Sequence, residues 1–419
     1  LNGFYPIYRK EFRLIYPDSY ELTMTYHNEE GKGIIGGKTK LAHGMMESSI
    51  AVKNMEPVRY EGWMSDWKDV LTWIDFSSIK NWSRIVEWYR EMSEGQCIVT
   101  PEIRNKLEQL ITGNPSREEK IGSIYDFVAR EIEYEDLNFM RSAYVPQEAE
   151  SVLEDGYGDC KDQCILLMTL LKAAEIDSYI ALSTPGYAGN NFYLPSTRFS
   201  HTVIGIPDGE KLIILDPTMQ YYNYPELPPS MIGSYYLPIV PEDAGLPADL
   251  RQVPLRTPPQ ETYYLVDFHP TSGKGSIRGS GTYSGYHASY LRSVLLSNTP
   301  EYRRLAFGLL LREGVPGFEL STMEASNITT LQSSPMIDFT GTMPNAFVPL
   351  GNGLVSLEIP WFVKLAPGLL SIGSTKKRAS TINIDYFELT SPTRQVTVVN
   401  IPPGYELYSI PDNAEFEFK

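Results

Sequence analysis

Three residues of this chain have side chains suited to acyl-transfer chemistry and stand in informative settings: Cys160, His201 and Asp216. Cys160 lies in "GYGDCKDQC" (156–164), between an acid and a lysine and behind two glycines, and the apolar run "ILLMTLL" follows at once. Cysteine is scarce, with three in 419 residues, so its placement carries information. Asp159 is placed to cap a helix that begins at Cys160. The sulfur then sits in the first turn, beside unpaired backbone N–H groups and the positive end of the helix dipole. Such a setting favours the thiolate, the form that attacks carbonyl carbon. Gly156 and Gly158 are expected to turn the chain sharply and leave the sulfur uncrowded.

A nucleophilic thiol needs a base, and the base needs an orienting group. Histidine supplies the base in "RFSHTVIGIPDGEKLIILDPT" (198–218). Two β-branched runs flank Asp208-Gly209, a hairpin signal. Symmetric closure about that dipeptide sets Ile206 opposite Lys211 and His201 opposite Asp216. Directly opposed residues have Cβ atoms roughly 4.5–5.5 Å apart, so the turn alone brings carboxylate and imidazole into reach. A slip of one residue would send Asp216 to the other face. The carboxylate would fix one tautomer and steady the imidazolium. His27, His43, His269 and His287 have no such partner in prospect and read as structural or surface residues.

Acyl transfer also needs donors for the oxyanion. The backbone N–H of Cys160 is one; Gln147 or Tyr157 would supply a second, and spacing singles out neither. Lys161 and Asp162 read as shaping the helix start. Cys164, one turn deeper, reads as a small buried hydrophobe. No Cys-x-x-Cys or His-x₃-His pair appears, so neither metal nor organic cofactor is implied. "SGKGSIRGSG" (272–281) lacks the Gly-Lys-Ser/Thr of a phosphate loop and reads as a hairpin. The Trp-rich stretch 63–88 reads as core or domain interface.

The elements around these residues follow from periodicity. The helix predicted over 160–174 is apolar nearly all round, hence buried on most sides. Before it, Thr100-Pro101 and the Ser116/Glu119 capping box open two helices, the second with Ile121, Ile124, Tyr125 and Val128 on one face. Residues up to about 80 alternate with period two, as β-structure does, and "NWSRIVEWYREM" (81–92) switches to helical spacing. Prolines at 225, 228, 229, 238, 241, 247, 254, 258 and 259 mark 224–259 as an extended connector. Beyond about 260 alternation returns, broken by a helical patch near 286–313. No internal repeat of fixed period is present.

The block Gly158-Asp159-Cys160-Lys161-Asp162, followed by His201 on one strand and Asp216-Pro217-Thr218 on the next, resembles bacterial transglutaminase-like proteins. These are relatives of papain-type cysteine hydrolases. The flanks, "AVKNMEPVRYEGWMSDWKDVLTWIDFSS" and "KRASTINIDYFELTSPTRQVTVVNIPPGYEL", are similar to the leading and trailing β domains of a multidomain branch. The resemblance implies an α+β fold: a central papain/transglutaminase-like domain, with a buried nucleophile helix packed on an antiparallel sheet, between two β-rich domains. The boundaries expected are 1–95, with the leading domain truncated at Leu1, then 96–235 and 236–419. It implies a Cys160–His201–Asp216 triad acting through an acyl-thioester on a peptide or protein amide. Two rival readings are a non-catalytic envelope or assembly protein that binds protein or glycan, and a true protein-glutamine transglutaminase.

Composition bounds these readings. Hydrophobic residues make up 42% and charged residues 21%, the balance of an ordered protein. A net charge of −16 repels phosphate backbones and sets nucleic acid aside as a partner. No run of about 18 apolar residues exists to span a bilayer. The start at Leu1, without Met, reads as a processed or trimmed chain. Relatives with this layout are exported, so a periplasmic or cell-envelope location is expected, with the cytoplasm as alternative. Sequence carries no mark of oligomeric state.

Overall fold

The computed structural model describes residues 3–29, 33–61, 64–136, 144–186, 194–209, 211–254, 262–271, 273–331, 333–362, 378–380 and 393–413. The chain divides into two compact units, Leu1–Pro258 with Ala366–Thr390, and Pro259–Leu365 with Ser391–Lys419. The architecture is α+β.

The first unit opens with β-structure: β1 (Ile7–Pro17), β2 (Thr23–His27), β3 (Ile35–Lys40), β4 (Met45–Met55), a short helix α1 (Trp67–Val70) and β5 (Trp73–Ser77). β4 lies between β1 and β3, and β2 pairs with β5, all antiparallel. Glu61, buried, accepts hydrogen bonds from the backbone N–H groups of Ala379 (3.0 Å) and Ser380 (3.2 Å), with the Arg378 guanidinium 3.6 Å away.

Helices follow: α2 (Ser83–Ser93), α3 (Pro101–Leu110), α4 (Arg117–Glu131), α5 (Ala149–Asp155) and α6 (Cys160–Ala173). Local chemistry sets their starts. The Thr100 hydroxyl accepts from the N–H of Ile103, and the Ser116/Glu119 box is formed in both directions. α4 buries Ile121, Ile124, Tyr125 and Val128, the face its periodicity predicts. In α6, Ile165, Leu166, Leu167, Leu170 and Leu171 are wholly buried. Each fully buried side chain of this kind is worth about 1.5–3 kcal/mol, which makes α6 the post on which the unit is built.

The sheet beneath it runs β10 (Lys211–Leu215), β9 (His201–Asp208), β8 (Tyr179–Thr184), β11 (Tyr235–Pro238), β12 (Arg251–Gln252), every pair antiparallel. β6 (Glu133–Tyr134) and β7 (Tyr157–Gly158) form a short parallel pair just ahead of α6. Residues 224–254 are therefore not a mere connector: they supply β11, which Pro238 ends, and β12, which complete the sheet, and 255–259 lie outside the described residues. The expected boundary at 235/236 falls inside this sheet, and that at 95/96 falls inside the first unit.

The hairpin register differs from the sequence expectation by two residues. Ile206 faces Ile213, and Asp208 faces Lys211. Gly209, with φ of +62°, follows the end of the strand rather than sharing the turn's centre with Asp208. A shift of two keeps every side chain on its face.

In the second unit β13 (Thr262–Pro270) and β14 (Lys274–Tyr283) form a hairpin, as the stretch 272–281 predicts at its described positions. α7 (Gly285–Leu296) and α8 (Pro300–Gly314) resolve the single helical patch into two. β15 (Glu319–Ser326), β16 (Met336–Pro344), the hairpin β17 (Phe347–Gly351) and β18 (Leu354–Leu357), and β19 (Thr393–Val399) follow. The sheet order is β15-β16-β14-β13-β19, with β19 parallel to β13. Phe268, Phe307, Phe318 and Phe339 fill its core.

Candidate active site

Asp159 caps α6 as its position predicts. Its carboxylate accepts from the N–H groups of Lys161 (3.0 Å) and Asp162 (3.3 Å), and Asp162 returns an acceptor to the N–H of Asp159 (3.1 Å). The cap occupies the amides of Lys161 and Asp162 and leaves that of Cys160 out of the arrangement. Lys161, also buried, pairs through its ammonium with Asp159. Burial raises the carboxyl pKa of Asp159, and the Lys161 hydrogen bond opposes that rise.

The glycines serve the cap rather than the sulfur. Gly156 takes the left-handed conformation (φ +74°) that ends α5. A Cβ on Gly158 would lie 2.7 Å from the Cβ of Asp162. The bare backbone thus makes room for the acid that closes the cap, and the expectation that both glycines uncrowd the thiol is corrected.

His201 opens β9, paired in the ladder with Ser183 of β8. Asp216 lies just past β10, where the observed register sets it diagonal to His201 instead of opposite. Diagonal neighbours are still within reach of a ring: His201 Nε2 and Asp216 Oδ2 are 2.9 Å apart. The other carboxylate oxygen accepts from Thr218, through the hydroxyl at 2.7 Å and the N–H at 3.2 Å. Tyr125 of α4 donates to the backbone carbonyl of Asp216 at 3.0 Å. With Nε2 engaged, Nδ1 is the ring nitrogen left to face Cys160, which lines the same cleft. Burial pulls the His201 pKa down, but hydrogen bonds to Asp216 and Cys160, and their charges, lift it to about 10.

All three side chains converge. Cys160 and His201 lie in one cleft of about 320 Å³, walled by Trp88, Tyr89, Tyr134, Tyr144 and Phe199. Burial and the nearby Cys160 charge push Tyr134 up to about 12. Trp88 and Tyr144 meet edge to face, centroids 5.4 Å apart. Trp88 and Tyr89 lie on α2, the helix that the spacing of 81–92 predicts, but nothing local in that stretch marks them as cleft residues.

The two weak oxyanion candidates do not line it. Gln147 donates from both its N–H (2.8 Å) and its side-chain amide (3.1 Å) to Asp162, so it steadies the cap. Tyr157 sits in the β6–β7 pair. Cys164 is fully buried with its thiol directed at the Thr202 carbonyl, and burial raises its pKa well above the usual thiol range. Among the other histidines His27 stacks on Trp73, centroids 3.8 Å apart, and His287 pairs with Thr262. His269 does have an acidic partner, Asp267 at 3.1 Å, contrary to expectation. No cluster of three or more metal-binding side chains exists among the described residues, nor any helix long and apolar enough to cross a membrane.

A thiol at a capped helix start, an imidazole at the start of β9 and a buried carboxylate behind it thus stand together on an α+β scaffold. The transglutaminase-like superfamily model matches residues 104–197. The match takes in Cys160 and stops short of His201 and Asp216. No curated protein matches the chain. Among solved structures, a proposed protease from Parabacteroides distasonis is 11% identical, with 82% of this chain and 68% of that one covered and a TM-score of 0.49. A proposed cysteine protease from Cytophaga hutchinsonii is 13% identical (52% and 73% covered, TM-score 0.24). Red sea bream transglutaminase is 9% identical (80% and 74% covered, TM-score 0.20).

Proposed function

We propose that the chain is a cysteine-dependent amide hydrolase with a Cys160–His201–Asp216 triad, acting on peptide or protein amides. The observation that carries this reading is the arrangement itself: Asp216 lies 2.9 Å from one nitrogen of His201, and Cys160 and His201 line one cleft. With the thiol proton already on His201, as its raised pKa favours, the Cys160 thiolate bonds to the carbonyl carbon and the C=O π pair moves onto oxygen. His201 then passes that proton to the leaving nitrogen as the C–N bond breaks. Water attacks the thioester, giving its proton to His201, and the acid leaves as the thiol is restored. Asp216 holds the ring throughout. The N–H of Cys160 is the first donor for the oxyanion. A cell-envelope location belongs to this reading and rests on the sequence resemblance alone.

Iodoacetamide alkylation of Cys160 at pH 6.5, followed by intact-mass measurement, tests the relay. His201→Ala is expected to slow it about 100-fold. Equal rates would overturn the catalytic reading in favour of a binding protein. Incubation with a glutamine peptide and a labelled primary amine separates the resolving step: incorporation of label means transfer, and ammonia release without incorporation means hydrolysis.

A further inference from the structure

On the far side of residues 194–200 lies a second pocket, of about 190 Å³, walled by Trp67, Trp73, Trp82, Phe199, Tyr235 and Leu250. Whole small-molecule ligands occupy pockets of about 300–1,000 Å³; this one has room for a single side chain. Two elements run between it and the Cys160 cleft. Along the chain segment, Ser196 and Arg198 line the pocket, Thr197, Ser200 and His201 line the cleft, and Phe199 lines both. On α2 the capping Trp82 walls the pocket and Trp88 walls the cleft. The partition is thus one residue thick and ends at the base itself.

That partition is held rigidly. Asp75 of β5, itself buried, accepts from the Leu194 N–H (2.8 Å) and the Arg198 guanidinium (2.5 Å), and the Ser77 hydroxyl donates to the Pro195 carbonyl at 2.5 Å. Of the two cations in the lining, the Arg198 guanidinium pairs with Asp75 and the Lys68 ammonium lies over the Trp67 ring, 5.7 Å from its centroid. Most of the pocket's wall is aromatic: Trp67 and Trp73 meet edge to face with centroids 6.1 Å apart, and Trp82 lies 5.9 Å from Phe199. Rings set this way receive apolar, above all aromatic, groups.

We infer that this pocket is a subsite of the Cys160 cleft that takes a bulky apolar side chain of the acyl-donor peptide, so that the leading β segment helps select the substrate. The inference rests on the hydrolase reading for the identity of the ligand, and its test is independent of turnover. Calorimetric titration of the full chain carrying Cys160→Ala would use N-acetyl tetrapeptide amides with Gly, Leu or Phe at each position in turn. One position is expected to favour Phe or Leu over Gly by about ten-fold or more. Adding Trp67→Ala, at a residue half exposed and so tolerant of truncation, is expected to cut that preference below about three-fold. A flat profile at every position, or a preference that survives Trp67→Ala, overturns the subsite. Should the preference appear while alkylation of Cys160 proves independent of His201, the subsite stands and the hydrolase reading falls.

Discussion

Two histidine–aspartate pairs of nearly equal length lie in the two units. His201 and Asp216 are 2.9 Å apart with side chains 13% and 2% exposed; His269 and Asp267 are 3.1 Å apart and 53% and 46% exposed. The second pair is two residues apart on one strand and leans on Asn400, whose amide is 3.3 Å from the same ring nitrogen. Its main result is to hold the Asp267 carboxyl below the usual range, through the His269 hydrogen bond first. The first pair is fixed from behind by Thr218 and Tyr125 and presents its free nitrogen to a thiol. A hydrogen-bonded carboxylate and imidazole are therefore commonplace. Seclusion from water and a nucleophile on the ring's other side separate a relay from a surface contact.

The largest expected contrast comes from Asp216→Asn set beside Asp267→Asn. The first should lower the rate of amide hydrolysis by about 100-fold or more, since the amide admits the wrong tautomer. The second should leave it unchanged; comparable losses would erase the distinction between the pairs. Next is Gly158→Ala, which drives a methyl into Asp162 and should cost about 1–3 kcal/mol in urea unfolding. Little or no loss would mean that the cap yields easily. A smaller effect separates the pairs by pH. The folded pKa of His201 is raised from 6.5 to about 10. Stabilisation from its pairing is therefore complete below about pH 6.5 and fades as pH climbs through about 10. Subtracting the stability of His201→Ala from that of the parent at each pH should reveal this decline. The same subtraction for His269→Ala should stay within about 0.5 kcal/mol throughout.

What the sequence disclosed was whatever chemistry is local. Asp159 as cap, Cys160 in the first turn, the Ser116 box and the burial of α6 all depend on residues a few positions apart. The His201–Asp216 contact was reached through a register two residues off, and it survived because such a shift preserves faces and a diagonal partner is near enough. A slip of one would have lost it. Gln147 eluded spacing because its tie to Asp162 depends on how α5 approaches α6. The aromatic cleft wall draws on α2, β6 and the 194–200 segment, brought together only by tertiary packing. His269 was misjudged because an i, i+2 acid on the same strand lay outside the hairpin logic applied to His201.

Glu61 has a consequence for dissecting the chain. Its carboxylate is held by amides 318 and 319 positions onward, so the backbone returns to the first unit after Pro259–Leu365 of the second. Excision after Pro258, at first sight a clean cut, would strip a buried acid of its backbone donors and of Arg378. A recombinant fragment that respects this connection must carry residues 378–380 along with Leu1–Pro258.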